Sequence, residues 1–288
     1  MKWHTISAFG LAIAVACGTM AYAQDSDSMG QHPKVLQITR EFEKPGKGPE
    51  HDKTEGAFVA ALRKGNVTMH YFSACSVTGK PRCLYFAGFD SYASWEMANK
   101  AMMADKNLAA EMTSATTADS ELLESTEEAA FSYSKGLSYK DDADIAHARY
   151  IEVDSYRVKP GHFSDFMELV NMIKDANDKA GTSMHWSAYH LDFGGDPEIV
   201  NFFTADKSMA DLDKEIMDGD KFWEKLGEDG RKRYEELYAR AVADEVEQLL
   251  AINPAQSYPP DSWVKADPEF WTVKTESAPA VKAKEKKK

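Results

Sequence analysis

Cysteine is scarce in this 288-residue chain, occurring only as Cys17, Cys75 and Cys83. So few exclude a disulfide-dense mini-protein, and no Cys-x-x-Cys pair is present for a zinc ribbon, a redox motif or covalent haem. Also missing are a Gly-x-Ser-x-Gly elbow, a Gly-Lys-Ser/Thr phosphate loop and the glycine pattern of a dinucleotide turn. With them go the self-sufficient signatures of a serine hydrolase, a P-loop NTPase and a Rossmann dehydrogenase.

Long apolar runs are lacking too. The run from Ile6 to Ala16 is broken only by small residues, but it falls short of the roughly 20 residues that cross a bilayer. It follows Lys2 and precedes Ala21-Tyr22-Ala23, small residues where a signal peptidase cuts. This pattern predicts a signal peptide over residues 1–23, a linker over 24–32, and a periplasmic or secreted mature chain without an integral membrane segment. Ala14-Val15-Ala16-Cys17 offers a lipoprotein as the alternative.

Positive charge is in short supply: 34 Lys and Arg face 47 Asp and Glu, for a net charge of −13. Residues 282–288 carry a net +4 and the leader +1, so the body between them stands at −18. So acidic a body argues against nucleic acid and anionic membranes as partners. The lysine-rich end, residues 274–288, is expected to be a solvated, disordered tail.

What the chain does contain, it contains twice. Lys44-Pro45-Gly46 recurs as Lys159-Pro160-Gly161, an offset of 115 that also carries Met69-His70-Tyr71 onto Met184-His185-Trp186 and Gly79 onto Gly194. Beyond a one-residue insertion, Leu84-Tyr85-Phe86 aligns with Val200-Asn201-Phe202, and Ser138-Tyr139 and Ser257-Tyr258 close the two halves. Landmarks that keep order and spacing indicate duplication. Each half reads as a strand (Val35 to Glu43, Arg149 to Val158), a helix, a hairpin (Thr68 to Phe89, Ser183 to Thr204), a helix starting near Ser91 or Ser208, and a last strand near Phe131 to Tyr133 or Leu249 to Ile252. In the second half, Glu228 to Leu250 has the apolar period of one long added helix.

The order β-α-β-β-α-β is that of the ferredoxin-like unit. The predicted fold is α+β: two such repeats, over 33–140 and 145–273, packed sheet to sheet as a pseudo-dimeric barrel that covers both bare faces. The chain thus resembles a dimeric α+β barrel protein with its two protomers fused. Tyr156-Arg157-Val158-Lys159-Pro160-Gly161-His162 resembles the first strand and turn of NIPSNAP-like and antibiotic-biosynthesis-monooxygenase-like domains. The leader, the doubling and the closing Ala266-Asp267-Pro268-Glu269-Phe270-Trp271 resemble a group of secreted bacterial proteins of that superfamily. The resemblance spans roughly residues 33–273. It implies the fold, and it leaves function open, because the superfamily hosts oxygenases, decarboxylases, isomerases, haem enzymes and non-enzymes.

Cys75 and Cys83 lie equidistant from Gly79 across a hairpin, so an exported chain would place a disulfide there; two buried free thiols are the alternative. On the first strands, Ile151 and Val153 share one face and Glu152, Asp154 and Tyr156 the other. The apolar face is expected to pack on the helices, which turns the polar trio toward the barrel interior or mouth. Paired carboxylates sheltered there would gain pKa and suit acid–base work; a wet or hydrogen-bonded strand side is the plain alternative. His185 shares a face with Tyr189, and His190 lies opposite with Trp186, so the two histidines cannot ligate one metal from a regular strand. Neither a metal nor a cofactor is expected. Glu152, Asp154 and His185 are the catalytic candidates, and His70, Tyr156, Tyr189 and Trp186 the ligand-binding ones. Three functions remain: binding of a small apolar or aromatic molecule, a cofactor-independent oxygenase-like enzyme, or a scaffold. A homo-oligomer is possible for each and required by none.

Overall fold

A computed structural model describes residues 32–196 and 198–273. The predicted leader, the 24–32 linker except its last residue, and the lysine-rich tail lie outside the described residues. The chain runs β1 (Val35–Glu43), α1 (Gly48–Lys64), β2 (Tyr71–Ser76), β3 (Arg82–Phe89), α2 (Tyr92–Ala104), α3 (Lys106–Ser120) and β4 (Leu123–Tyr133). It continues through β5 (Tyr150–Val158), α4 (Phe163–Ala180), β6 (Ser187–Phe193), β7 (Ile199–Asp206), α5 (Met209–Ala241) and β8 (Val242–Tyr258) to two short helices, α6 (Asp261–Ala266) and α7 (Pro268–Trp271). Ser91 and Ser208 cap α2 and α5, each accepting a backbone N–H from the first turn. The Lys-Pro-Gly turns put Gly46 and Gly161 at φ +78 and +82, the left-handed region that glycine enters without steric cost.

The eight strands pair antiparallel into a closed barrel, β1-β3-β2-β8-β5-β7-β6-β4. Around the ring the succession β4-β1-β3-β2 is followed by β8-β5-β7-β6. Closure removes every strand edge. The two seams are reciprocal. Ala188 donates its backbone N–H to Ser138 Oγ at 2.9 Å, and Ser73 does the same to Ser257 Oγ at 2.9 Å. Beside them Tyr139 bridges to Trp186 and Tyr258 pairs with Tyr71. The segment after β4 therefore bonds to the β6–β7 hairpin, and the end of β8 to the β2–β3 hairpin.

The register corrects three expectations. First, Val35 pairs with Phe89 while Tyr150 pairs with Asp206, so β3 and β7 differ by 117 positions and the second hairpin is longer by two residues, not one. Tyr85 thus corresponds to Phe202 rather than to Asn201. Second, the helix expected over Glu228 to Leu250 ends at Ala241, and Val242–Tyr258 is a strand paired with β5 from Val158↔Val242 to Tyr150↔Ala251. Val242, Val246, Leu249 and Leu250 carry a helical period, but the open edge of β5 supplies a ladder that outweighs this local preference.

Third, strand parity holds but the faces are exchanged. Ile151 and Val153 join Leu36, Ile38, Phe72 and Phe86 in one cluster drawn from both halves, which is the barrel interior. Glu152, Asp154 and Tyr156 point outward, under the helices: Tyr156 packs on Phe166 of α4 at 5.8 Å between ring centroids. A closed interior excludes water, so unpaired polar groups cost most there and the apolar set turns inward. One mouth of the barrel is plugged by Trp263, which packs on Phe72, and by Trp271, 1% exposed, whose Nε1–H donates to the Ala146 carbonyl at 2.8 Å.

Candidate functional site

The rest of that mouth is open. A polar cleft of about 1010 Å³ lies between the 140–144 segment, the 183–185 approach to β6 and the start of α5. Below it a small apolar throat of about 80 Å³ dips into the barrel between Leu36, Phe72, Phe86, Ile151, Tyr189 and Phe203. His32, Ala143 and Ala205 line both spaces and so form the junction. The cleft walls carry six carboxylates against three lysines, Lys140, Lys207 and Lys214. Lys207 is engaged by Asp144 at 3.0 Å and Lys140 by Asp178 at 3.4 Å. The cleft therefore favours a cationic or hydrogen-donating group over an anion.

Two of the cleft-lining carboxyls, Asp206 of β7 and Glu215 of α5, meet Glu152 of β5 behind the cleft wall, with carboxylate oxygens within 4.8 Å of one another. Register explains the meeting: Glu152 pairs with Thr204, which brings Asp206 to the diagonal position on the same outer face. Burial, then the charge of Glu215 and a hydrogen bond with Asp206, pushes the Glu152 carboxyl up to about 9. Burial raises Asp206 and Glu215 as well. Three close carboxyls in partial shelter cannot all ionise, so they share protons. His185 reaches this group from the barrel rim, where its charge acts on both Asp206 and Glu215 and its Nδ1 lies 3.3 Å from the Ser183 carbonyl.

Of the predicted catalytic residues, His185 and Glu152 meet through Asp206 and Glu215, two residues that the sequence reading missed. Asp154 sits farther along β5, raised to about 7 by burial and by Glu247 and Glu245 of β8. Among the predicted ligand-binding residues, Tyr189 lines the throat. Trp186 is 8% exposed and packed as core, its Nε1–H donating to the Leu137 carbonyl at 2.8 Å. Tyr156 belongs to the layer under α4 and α5, and His70 stacks on Tyr258 at 4.9 Å, on neither the throat nor the cleft. His190 packs against Phe163 of α4. Cys75 and Cys83 pair directly across the β2–β3 hairpin and are joined by a disulfide.

A second cluster was not legible in the sequence. Glu41 of β1, His51 and Glu55 of α1 and Asp119 of α3 bring their ligand atoms within 4.8 Å of one another. His51 is fully buried, with Nε2 at 3.0 Å from Glu41 and 3.6 Å from Asp119. Burial disfavours its charge, but Glu41 and Asp119 outweigh that and raise the imidazole. Burial, with Glu41 and Asp119 adding, pushes Glu55 to about 8. Spacing signals fail here because the donors come from three elements. The one available hint was polar residues on the inner face of α1, an amphipathic helix that otherwise buries Val59, Ala61 and Leu62.

No protein-family model and no curated protein matches the chain. Among solved structures it is similar to a candidate monooxygenase from Fusobacterium nucleatum, at 11% identity over 76% of this chain and 91% of that one, with a TM-score of 0.50. It is also similar to a candidate monooxygenase from Lactobacillus acidophilus (9% identity, 76% and 93% covered, TM-score 0.47) and to a mutant chlorite dismutase from Candidatus Nitrospira defluvii (9%, 86% and 100%, TM-score 0.49). The first likeness shows the fold, that of the dimeric α+β barrels. By fold and site, then, this is an α+β barrel protein with an acidic cleft at one mouth.

Proposed function

We propose that the protein binds a small molecule with an apolar or aromatic end and a cationic or hydrogen-donating head, the end entering the throat and the head lying in the acidic cleft. One observation carries this reading: an apolar opening to the barrel interior adjoins a cleft whose lining holds six carboxylates against three lysines. The throat has room for the edge of a ring, so most of the ligand lies above it. The test is fluorescence titration of the full mature chain with aromatic amines and 1,4-hydroquinones. Ala205→Leu narrows the junction and should weaken binding about 5- to 160-fold, in keeping with 1–3 kcal/mol for overpacking a tight site. Equal affinity in wild type and variant would place the ligand elsewhere.

The cluster at Glu152 supports a second reading, a cofactor-independent oxygenase-like enzyme. A carboxyl still protonated at neutral pH, connected to the cleft through Asp206 and Glu215, can pass its proton to these two lining groups near His185. The neighbour from Fusobacterium, itself described as a candidate monooxygenase, is compatible with this chemistry. Oxygen uptake with hydroquinones that Glu152→Ala and His185→Ala both abolish would favour the enzyme; uptake unchanged in both variants would remove these residues from it.

The chain is further proposed to be a fused duplication of a βαββαβ unit, akin to NIPSNAP-like and antibiotic-biosynthesis-monooxygenase-like domains and exported by its leader. The repeated strand succession and the reciprocal seams support duplication. The Cys75–Cys83 disulfide fits an oxidising compartment.

A further inference from the structure

A buried donor set lies in the first half, sharing no residue with the cleft just described. Glu41, His51, Glu55 and Asp119 converge between the outer face of β1 and helices α1 and α3. Beside them is a cavity of about 200 Å³ lined by Glu41, Glu55, Asp119, Thr39 and Tyr71. Three carboxyls this close must hold protons or find a counter-charge, and a bound cation would release those protons. Among the described residues the only ion-pair partner of Glu41 and of Asp119 is His51, with no lysine or arginine engaging either.

Two further observations point to a ligand. The Tyr71 hydroxyl faces the cavity and has no hydrogen-bond partner, although Tyr71 is only 5% exposed. A buried hydroxyl left unpaired costs about 1–3 kcal/mol unless something in the cavity meets it. Nor does the fold require donors at these positions. At the same offset of 115, the second half has Tyr156, Phe166 and Val170 in place of Glu41, His51 and Glu55, and these pack as core. The same scaffold is therefore stable with an apolar filling, and the first half has a polar one.

We propose that Glu41, His51, Glu55 and Asp119 form a binding site for one divalent first-row transition metal ion, with Tyr71 beside a ligand of that ion. The separations suit it. Donors about 2.1 Å from a metal lie about 3.0–3.4 Å apart along a tetrahedral or octahedral edge, and the His51 nitrogen lies 3.0 and 3.6 Å from its two carboxylate partners. One imidazole with three carboxylates selects manganese, iron or zinc over calcium. The donors are held from behind: Thr54 donates to Asp119 at 2.5 Å, and His51 Nδ1 faces Glu43 at 3.8 Å and the Gln256 amide at 3.5 Å. Such outer partners fix ligand orientation. The Glu43–His51–Cys83 group beside it is not a separate site, because Cys83 is bonded to Cys75.

The experiment uses the full mature chain, stripped with chelator and titrated separately with Mn²⁺, Zn²⁺ and Co²⁺. Expected are one ion per chain by mass spectrometry of the metal content, a higher Tm, and a visible Co²⁺ spectrum. Asp119→Asn and Glu55→Gln should weaken binding by more than about 100-fold, above the 10–100-fold that loss of an outer partner costs. His51→Phe with Glu55→Val copies the packing of the second half, so it should stay folded by circular dichroism while losing the ion and the spectrum. The proposal is overturned if no ion binds, or if binding survives these variants and is lost instead with Glu215→Gln, which would assign it to the cleft cluster.

Discussion

Glu152→Gln swaps a carboxyl that keeps its proton for an amide of the same shape. In the unfolded chain this carboxyl titrates near 4.5; in the folded chain burial and its acidic neighbours hold the proton to about 9. Between those two pH values the folded protein carries a proton that the unfolded chain has released, so stability falls as pH rises through that window. At about 1.36 kcal/mol per pH unit, the full difference would be about 6 kcal/mol for an isolated, fully buried group. Glu152 is partly shielded and shares protons with Asp206 and Glu215, so solvent screening and sharing bring the expected effect to about 1–2 kcal/mol. Urea unfolding of both proteins at intervals from pH 4.5 to 9 measures it. Wild type and variant should agree at pH 4.5, and the variant should be the more stable by about 1–2 kcal/mol at pH 9, or about 2–8 °C in Tm. Parallel pH profiles would refute the reasoning, and so would a variant less stable at pH 9.

Two further outcomes follow from the packing. Replacing both Cys75 and Cys83 by serine opens a link between residues eight apart and should cost about 2–3 kcal/mol in denaturant unfolding, the loop-closure value for so short a loop; equal stability would mean that the hairpin alone holds the seam. Trp271→Ala unplugs the barrel mouth and should cost about 3–5 kcal/mol, as expected for a large core aromatic. A loss under about 1 kcal/mol would make the C-terminal helices dispensable, and an increase in binding of a hydrophobic dye is the accompanying sign that the interior has opened.

Much of the frame was legible because it rests on local rules. The Lys-Pro-Gly turns needed glycine at positive φ, the serine caps needed an acceptor at a helix start, and the two hairpins announced themselves by Gly79 and Gly194. Gly194 also shows where local rules stop. A Cβ there would stand 2.1 Å from the Glu128 carbonyl oxygen, a close approach between β4 and the β6–β7 turn that no turn signal contains. Val242 to Leu250 is the converse case, a segment with helical periodicity that became a strand because β5 had an open edge. Which side of β5 is inside could not be read either. Alternation gives two faces, and only closure of the barrel says which is dry.

The sites divide along the same line. His185 and Glu152 stood out as residues of the right type near or on strands, yet what makes Glu152 hold its proton is burial, then Glu215 of α5 and Asp206 of β7. The set around His51 draws on β1, α1 and α3, with positions up to 78 apart in the chain. By itself the sequence determined most of the element order, the turns and the parity of each strand, because these depend on neighbours a few residues away. The tertiary structure decided which face is buried, where the chain crosses from one half to the other, and which carboxyls share a proton. Those properties arise from burial and from charges a few ångströms apart in space, and no spacing along the chain encodes such distances.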